Sequence, residues 1–378
     1  MAPLLLQIQN IPSLPLYTSL VALVILVLCW MRFKATHIPT LLKLPPGPRK
    51  LPVIGNLLQL VGALPHHCLR DLASKYGPII HLRVGQVSVV VISSPELTKE
   101  LLQTQEAIFL QRPTSDLAVT ASSNALSGVF FSPYNHFWRQ MRRISVLELL
   151  SRKRVLSYRS IREEEAWNLV QSIKDHYQTK LGHLNLSEVI FSMQNNVPAR
   201  AALGKKCKHG KEFTALINES LLLAGGFALA DLFPSLKFLP YLTGTLIARE
   251  ASSSTEIIGY DIPEQTKVLI NVWAMGRDPT HWGAKADSFQ PERFQGSGSI
   301  DYRGSNLEFI PFGAGKRICP GITFGTAAVE LALAQLLYHF DWKLPSGTKL
   351  EQLDMTESAG WNTKRRDDLY VVAIPFLP

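Results

Sequence analysis

Phe309 to Gly321 reads FIPFGAGKRICPG. Cys319 sits in a loop with glycines at Gly313, Gly315 and Gly321, a proline at Pro320, and Lys316 and Arg317 just ahead of the sulfur. An apolar run follows, with Val329, Leu333, Leu336, Leu337 and Phe340 at i, i+4, i+7, i+8 and i+11, which predicts a helix. The stretch therefore presents a thiol at the mouth of a helix. Helix-terminal N–H groups aimed at the sulfur would favour the thiolate. Glycines let backbone come close to whatever the sulfur binds. The bland alternative is a buried core cysteine, since free cysteine is among the most buried residue types.

The loop fills the pattern F-x-x-G-x-R-x-C-x-G at Phe312, Gly315, Arg317, Cys319 and Gly321. It resembles the haem-binding signature of the cytochrome P450 monooxygenases. That resemblance implies a mainly α fold with small β-sheets and haem b bound through Cys319 as the axial ligand of the iron. It also implies an activity: insertion of one oxygen atom from dioxygen into a lipophilic small molecule.

Working outward, the bulk numbers allow one large domain or two ordinary ones: 378 residues, 46% hydrophobic. Lys and Arg total 39 against 30 acids, a formal charge of +9. The densest clusters are Arg139, Arg142 and Arg143, then Arg152, Lys153 and Arg154. No recognition motif lies beside them, so no nucleic acid is expected as a partner. A diffuse positive field suits a membrane surface or an acidic redox protein, with many single charges simply solvated. Cys29, Cys68, Cys207 and Cys319 are widely and irregularly spaced, which is neither a zinc pattern nor a disulfide framework. A soluble redox or zinc protein built on Cys319 lacks a second ligand at metal spacing.

Residues 1–31 carry no charged side chain and no histidine, and Arg32 and Lys34 follow. This predicts a membrane anchor over 1–34, with the basic flank and the rest of the chain in the cytosol. A cleaved signal peptide would want a basic leading region and a small-residue cleavage site. A core helix would want a polar face. Residues 35–52, with Pro45, Pro46 and Pro48, form a stiff linker. It resembles the hinge of plant microsomal family members, which implies a single-pass protein of the endoplasmic reticulum membrane. Residues 53–378 then make the haem domain, and its acceptor-like Asn185 and Asn218 should go unused in the cytosol.

Within that domain, residues 66–76 predict a helix and Ile80 to Val91 a hairpin about Gly85-Gln86. A helix opens at Pro95. Others are expected over Tyr134–Leu150, 155–178 and roughly 185–230, a strand at Val268–Val272 and a last strand at 369–376. Residues 113–133 lack periodicity, and the resemblance places them, with Asp354–Asp367, at the substrate pocket. Trp138 and Arg142, four apart on one helix face, match the family's W-R-x-x-R. By resemblance the indole N–H and the guanidinium bond a haem propionate, and Arg249 and Arg317 join them. The bland reading is a surface basic helix with a core tryptophan.

The sequence departs from the family after Gly244. There the chain passes within a residue or two to a segment expected well over a hundred residues further on. No glutamate is followed by arginine three residues later, so E-x-x-R is missing. The A/G-G-x-D/E-T motif of the central oxygen-activating helix is missing too: Ala224-Gly225-Gly226 is followed by Phe227 and Ala228. No catalytic acid–threonine pair is therefore identifiable, and Arg293 of the P-E-R-F segment is expected to sit buried without its carboxylate. Two functions remain. One is a membrane-bound haem-thiolate monooxygenase fed by NADPH-cytochrome P450 reductase, with a terpenoid or similar lipophilic substrate. The other is a non-catalytic truncated variant, unable to activate oxygen and with haem retention in question.

Overall fold

In the computed structural model the described residues are 42–62, 64–113, 128–130, 132–179, 182–205, 246–295, 300–358 and 364–376, with a few isolated positions elsewhere. The expected anchor, the region 113–133 and the junction near Gly244 lie wholly or mostly outside them. Among the described residues no helix is long and apolar enough to cross a membrane.

Helix α1 (Pro65–Tyr76) starts on a proline that needs no donor and stops at Gly77. Strands β1 (Ile79–Val84) and β2 (Val87–Ile92) form the expected hairpin, with Val84 opposite Val87 and Ile79 opposite Ile92. Gly85 takes φ 61° in the two-residue turn, which glycine supplies without strain. Ser94 caps the short helix at Pro95, its hydroxyl accepting from the N–H of Leu97.

Helix α2 (His136–Ile144) is capped by Asn135 and is shorter than the apolar pattern predicts, because the backbone widens into a π turn over Ser145–Leu149. Helix α3 (Arg159–Thr179) and helix α4 (Leu186–Leu203) follow. α4 ends at Gly204, whose φ of 72° makes a left-handed cap, and most of the remaining helical stretch expected to about 230 lies outside the described residues. Strands β3 (Ile247–Glu250) and β4 (Lys267–Ile270) complete a four-stranded sheet of order β1-β2-β4-β3. β2 and β4 run parallel and the other pairs antiparallel.

The alternation of β2 divides two cores. Val89 and Val91 pack with Leu69 of α1, whereas Val90 and Ile92 pack with Phe109, Ile310 and Ala314. The second core thus ties the sheet to the loop that carries Cys319. Helix α5 (Ile322–His339) leaves that loop and feeds β5 (Phe340–Lys343), which pairs with β6 (Tyr370–Pro375). Together with α3 and α4 these form a third core around Val170, Ile173, Leu336 and Phe340.

The apolar run after Cys319 forms α5 as expected, while the expected burial of Arg293 needs correcting. The apolar stripe of α5 is only partly core: Leu336 and Phe340 are buried, but Val329, Leu333 and Leu337 are 54%, 53% and 65% exposed. Among the described residues, the body formed by α3, α4 and β6 is too small to cover both sides of so apolar a helix. Arg293, in turn, is only half-buried. Its guanidinium donates to the carbonyls of Lys285 and Ser288 and to Gln290 Oε1, all at 3.0–3.1 Å, and stacks on Trp282. Carbonyl dipoles satisfy it in place of a carboxylate.

Candidate functional site

The cysteine loop is a tight turn whose glycines have specific duties. Gly313 and Gly315 take φ 73° and 70°. A Cβ on Gly315 would lie 2.5 Å from Glu106 Oε1 and 3.0 Å from the Leu102 carbonyl, so only glycine fits there. The Cys319 N–H donates to the Phe312 carbonyl at 2.9 Å, closing the loop. α5 begins at Ile322, just beyond Gly321, and the Cys319 side chain is exposed. A buried core cysteine is thereby excluded.

Around this thiol the structure gathers cations. Arg317 is 7% exposed, its Nε donating to the Leu110 carbonyl and its Nη2 to the Ser132 carbonyl, both at 2.8 Å. Nη1 is buried without a partner. Arg249, on β3, is 2% exposed, and its one hydrogen bond is to the neighbouring Ala248 carbonyl at 3.0 Å. Arg112, which the motif reading did not single out, stacks 4.0 Å from the Phe130 ring centroid and leaves Nε buried and unpartnered. Burial pushes Arg249 down to about 9, with Arg112 and Arg317 adding repulsion and Glu106 easing it. Burial, then the Arg112 and Arg142 charges, push Arg317 down to about 10, and burial alone takes Arg112 to about 10. Arg142 is lowered by burial and raised by its attraction to the Cys319 sulfur, which puts that guanidinium and the thiol in one electrostatic site.

Trp138 is 3% exposed. Its indole N–H donates to the Val129 carbonyl at 2.8 Å. The ring face is instead what Arg317 uses, 4.5 Å above the centroid, with Arg142 at 5.9 Å. In this arrangement Trp138 shelves the cations rather than donating to a ligand. Phe312 is half-buried and packs edgewise on Tyr302.

Buried guanidinium groups with open N–H positions are costly unless an anion meets them. Among the described residues, four arginines against the carboxylate of Glu106 define a site for a ligand that carries more than one negative charge and lies beside a thiol. A porphyrin with two propionates and a sulfur-ligated iron meets both demands. The donor set therefore fits haem, on the evidence of the unpartnered Arg112 Nε and Arg317 Nη1.

A second cluster lies away from the thiol. Glu357 Oε2 accepts from His66 Nε2 at 2.8 Å and His67 Nε2 at 3.0 Å, and Oε1 accepts from the Trp273 indole at 2.9 Å. These ligand types suit a metal, but the surroundings oppose one. Arg277 Nη2 is 3.6 Å from Glu357 Oε1, and Arg70 and Arg277 both lie over Trp273. The buried Nδ1 of His66 has no acceptor for the proton that a metal-bound imidazole would carry there. The cluster is a latch that fastens the 354–358 loop to α1. Burial pushes the Glu357 carboxyl up, but bonds from His66, His67 and Trp273 outweigh it and bring it down to about 2.

Comparison with known proteins supplies independent findings. The family model for Cytochrome P450 matches residues 45–244 and 241–368. Melianol synthase of Ailanthus altissima is 38% identical over 512 aligned positions, covering 98% of this chain and 97% of that protein. Premnaspirodiene oxygenase of Hyoscyamus muticus is 36% identical over 476 positions (89% and 94%). Desmethyl-deoxy-podophyllotoxin synthase of Sinopodophyllum hexandrum is 36% identical over 470 (87% and 91%).

Proposed function

The chain belongs to the cytochrome P450 family, whose members hold haem b through a cysteine thiolate, and from that premise we propose that Cys319 is the iron ligand. Arg112, Arg142, Arg249 and Arg317 neutralise the propionates, while Gly315 and Gly321 allow the loop its close approach. The observation that carries this reading is the buried pair Arg249 and Arg317 with the half-buried Arg112, which leave Arg112 Nε and Arg317 Nη1 unpartnered, next to a loop whose thiol attracts Arg142. When bound, haem supplies the dioxygen chemistry of the family, and a thiolate ligand favours O–O cleavage. The chain's own contribution is to hold the charge of the propionates and to present the sulfur beside Arg142.

The lineage-level reaction is monooxygenation of a lipophilic small molecule of the terpenoid class, with electrons from NADPH through a reductase, on the endoplasmic reticulum membrane. Support for the terpenoid class comes from the relatives, a melianol synthase and a premnaspirodiene oxygenase. The diffuse charge of +9 and the apolar stretch before Arg32 suit a membrane-side partner of opposite charge.

A second reading, that the chain holds haem without turning over, has its own observations. An alignment of 512 positions cannot be filled by 378 residues, so a long stretch of the melianol synthase has no counterpart here. The two matched segments of the family model meet at 241–244, where the sequence lost its register with the family. The exposed stripe of α5 agrees with a missing neighbour. Co-expression with a plant reductase, a triterpenoid feed and mass spectrometry of the products decide between the two. Oxygenated product that disappears in C319S supports turnover. Haem recovered with the protein, but no product, supports the second reading.

A further inference from the structure

Among the described residues Glu106 is the carboxylate in the cation site, and its geometry gives it a task that no motif marks. One oxygen, Oε1, accepts from the backbone N–H of Lys316. The other, Oε2, lies 3.3 Å from Lys316 Nζ. Glu106 is 18% exposed and Lys316 is 56% exposed, so the backbone bond is sheltered while the ammonium stays largely in water. On its own strand of chain Glu106 is fixed: the Phe109 N–H donates to its carbonyl at 3.1 Å, and Phe109 is 1% exposed. Four residues after Glu106, the Leu110 carbonyl accepts from Arg317. One short segment, 106–110, thus grips two consecutive residues of the cysteine loop, and it leads directly to Arg112.

We propose that Glu106 is a positioning residue for Cys319. Its carboxylate holds the left-handed Gly315 and the following Lys316 N–H in one conformation, so the sulfur is presented in place before any cofactor arrives. The same contact accounts for Gly315, because a side chain there would occupy the space of the carboxylate. A group that accepts from a backbone N–H in a tight turn removes conformations from the loop and lowers the cost of ligating. This inference rests on the haem reading for its purpose, but not for its geometry.

Hydrogen exchange at the Lys316 amide tests it on the full chain in detergent, without added haem. E106A is expected to exchange roughly ten-fold faster or more at that amide. E106Q, whose amide oxygen still accepts, should exchange at an intermediate rate, and K316A, which keeps the N–H, near the parent rate. Unchanged exchange in E106A, or equal loosening in K316A, overturns the proposal. In haem-loaded protein the ferrous–carbon monoxide spectrum of E106A should shift in part from the thiolate band to that of a neutral ligand, with E106Q closer to the parent. Faster exchange with an unaltered spectrum would make Glu106 a tether only, which also overturns it. If the parent takes up no haem, the haem reading fails and the exchange comparison alone decides the role of Glu106.

Discussion

Replacing Arg249 with methionine separates the cost of the site from its purpose. The guanidinium is 2% exposed, has among the described residues a hydrogen bond only to the neighbouring Ala248 carbonyl, and is driven well below the usual arginine range, to about 9, by burial and by Arg112 and Arg317. Each unit is about 1.4 kcal/mol. Holding that charge therefore costs the empty protein roughly 4 kcal/mol, less whatever relaxation and water penetration recover. Methionine fills similar volume without charge, so R249M should stabilise the haem-free chain by about 2 kcal/mol or more. The pH dependence has a definite sign. The folded pKa lies below the unfolded one, so the penalty is fully present below about 9 and fades as pH rises from there toward the ordinary arginine range. The advantage of R249M should hold between pH 7 and 8 and shrink toward pH 10. With haem present the order reverses, because the propionates lose a partner and affinity falls roughly ten-fold or more. Urea unfolding of both proteins, with and without haem, measures all of this. Destabilisation of the haem-free chain by R249M would refute the reasoning.

Other substitutions probe separate parts. G315A forces a side chain into a φ of 70° and against Glu106, so haem content after expression should fall several-fold, read by pigment per mole of protein. E357Q should lower the melting temperature at pH 7. Because its folded pKa of about 2 lies below the usual 4.5, the parent's advantage should be present above about 4.5 and vanish as pH falls toward 2. L333E, on the open stripe of α5, should change stability by no more than about 0.5 kcal/mol and reduce aggregation in light scattering. A loss above about 2 kcal/mol would show that the stripe is covered.

Local pattern carried much of the fold. The β1–β2 hairpin was legible because Val87, Val89 and Val91 alternate across one face and Gly85 supplies the turn. α5 was legible by its period, but periodicity marks an apolar face without saying whether a neighbour exists to bury it. Val329, Leu333 and Leu337, on that apolar face, are exposed. The end of α4 at Gly204 followed from a left-handed cap that the surrounding helix formers masked. In the site, the loop residues were legible because a fixed spacing serves a fixed chemistry. Arg112 and Glu106 were not, since each works through partners well over a hundred positions along the chain, in the 315–317 turn and on β3. The signal available for Arg112 was only an isolated basic residue in an apolar stretch, FLQRP. The Trp138 indole was assigned to a ligand by its spacing from Arg142, but the nearby Val129 carbonyl takes its proton.

The most direct measurement is the reduced, carbon monoxide-treated spectrum of the 378-residue chain in microsomes beside C319S. A red-shifted thiolate Soret band in the parent that is absent in C319S is the predicted result. A parent with no band, or with a band that C319S reproduces, would contradict the account.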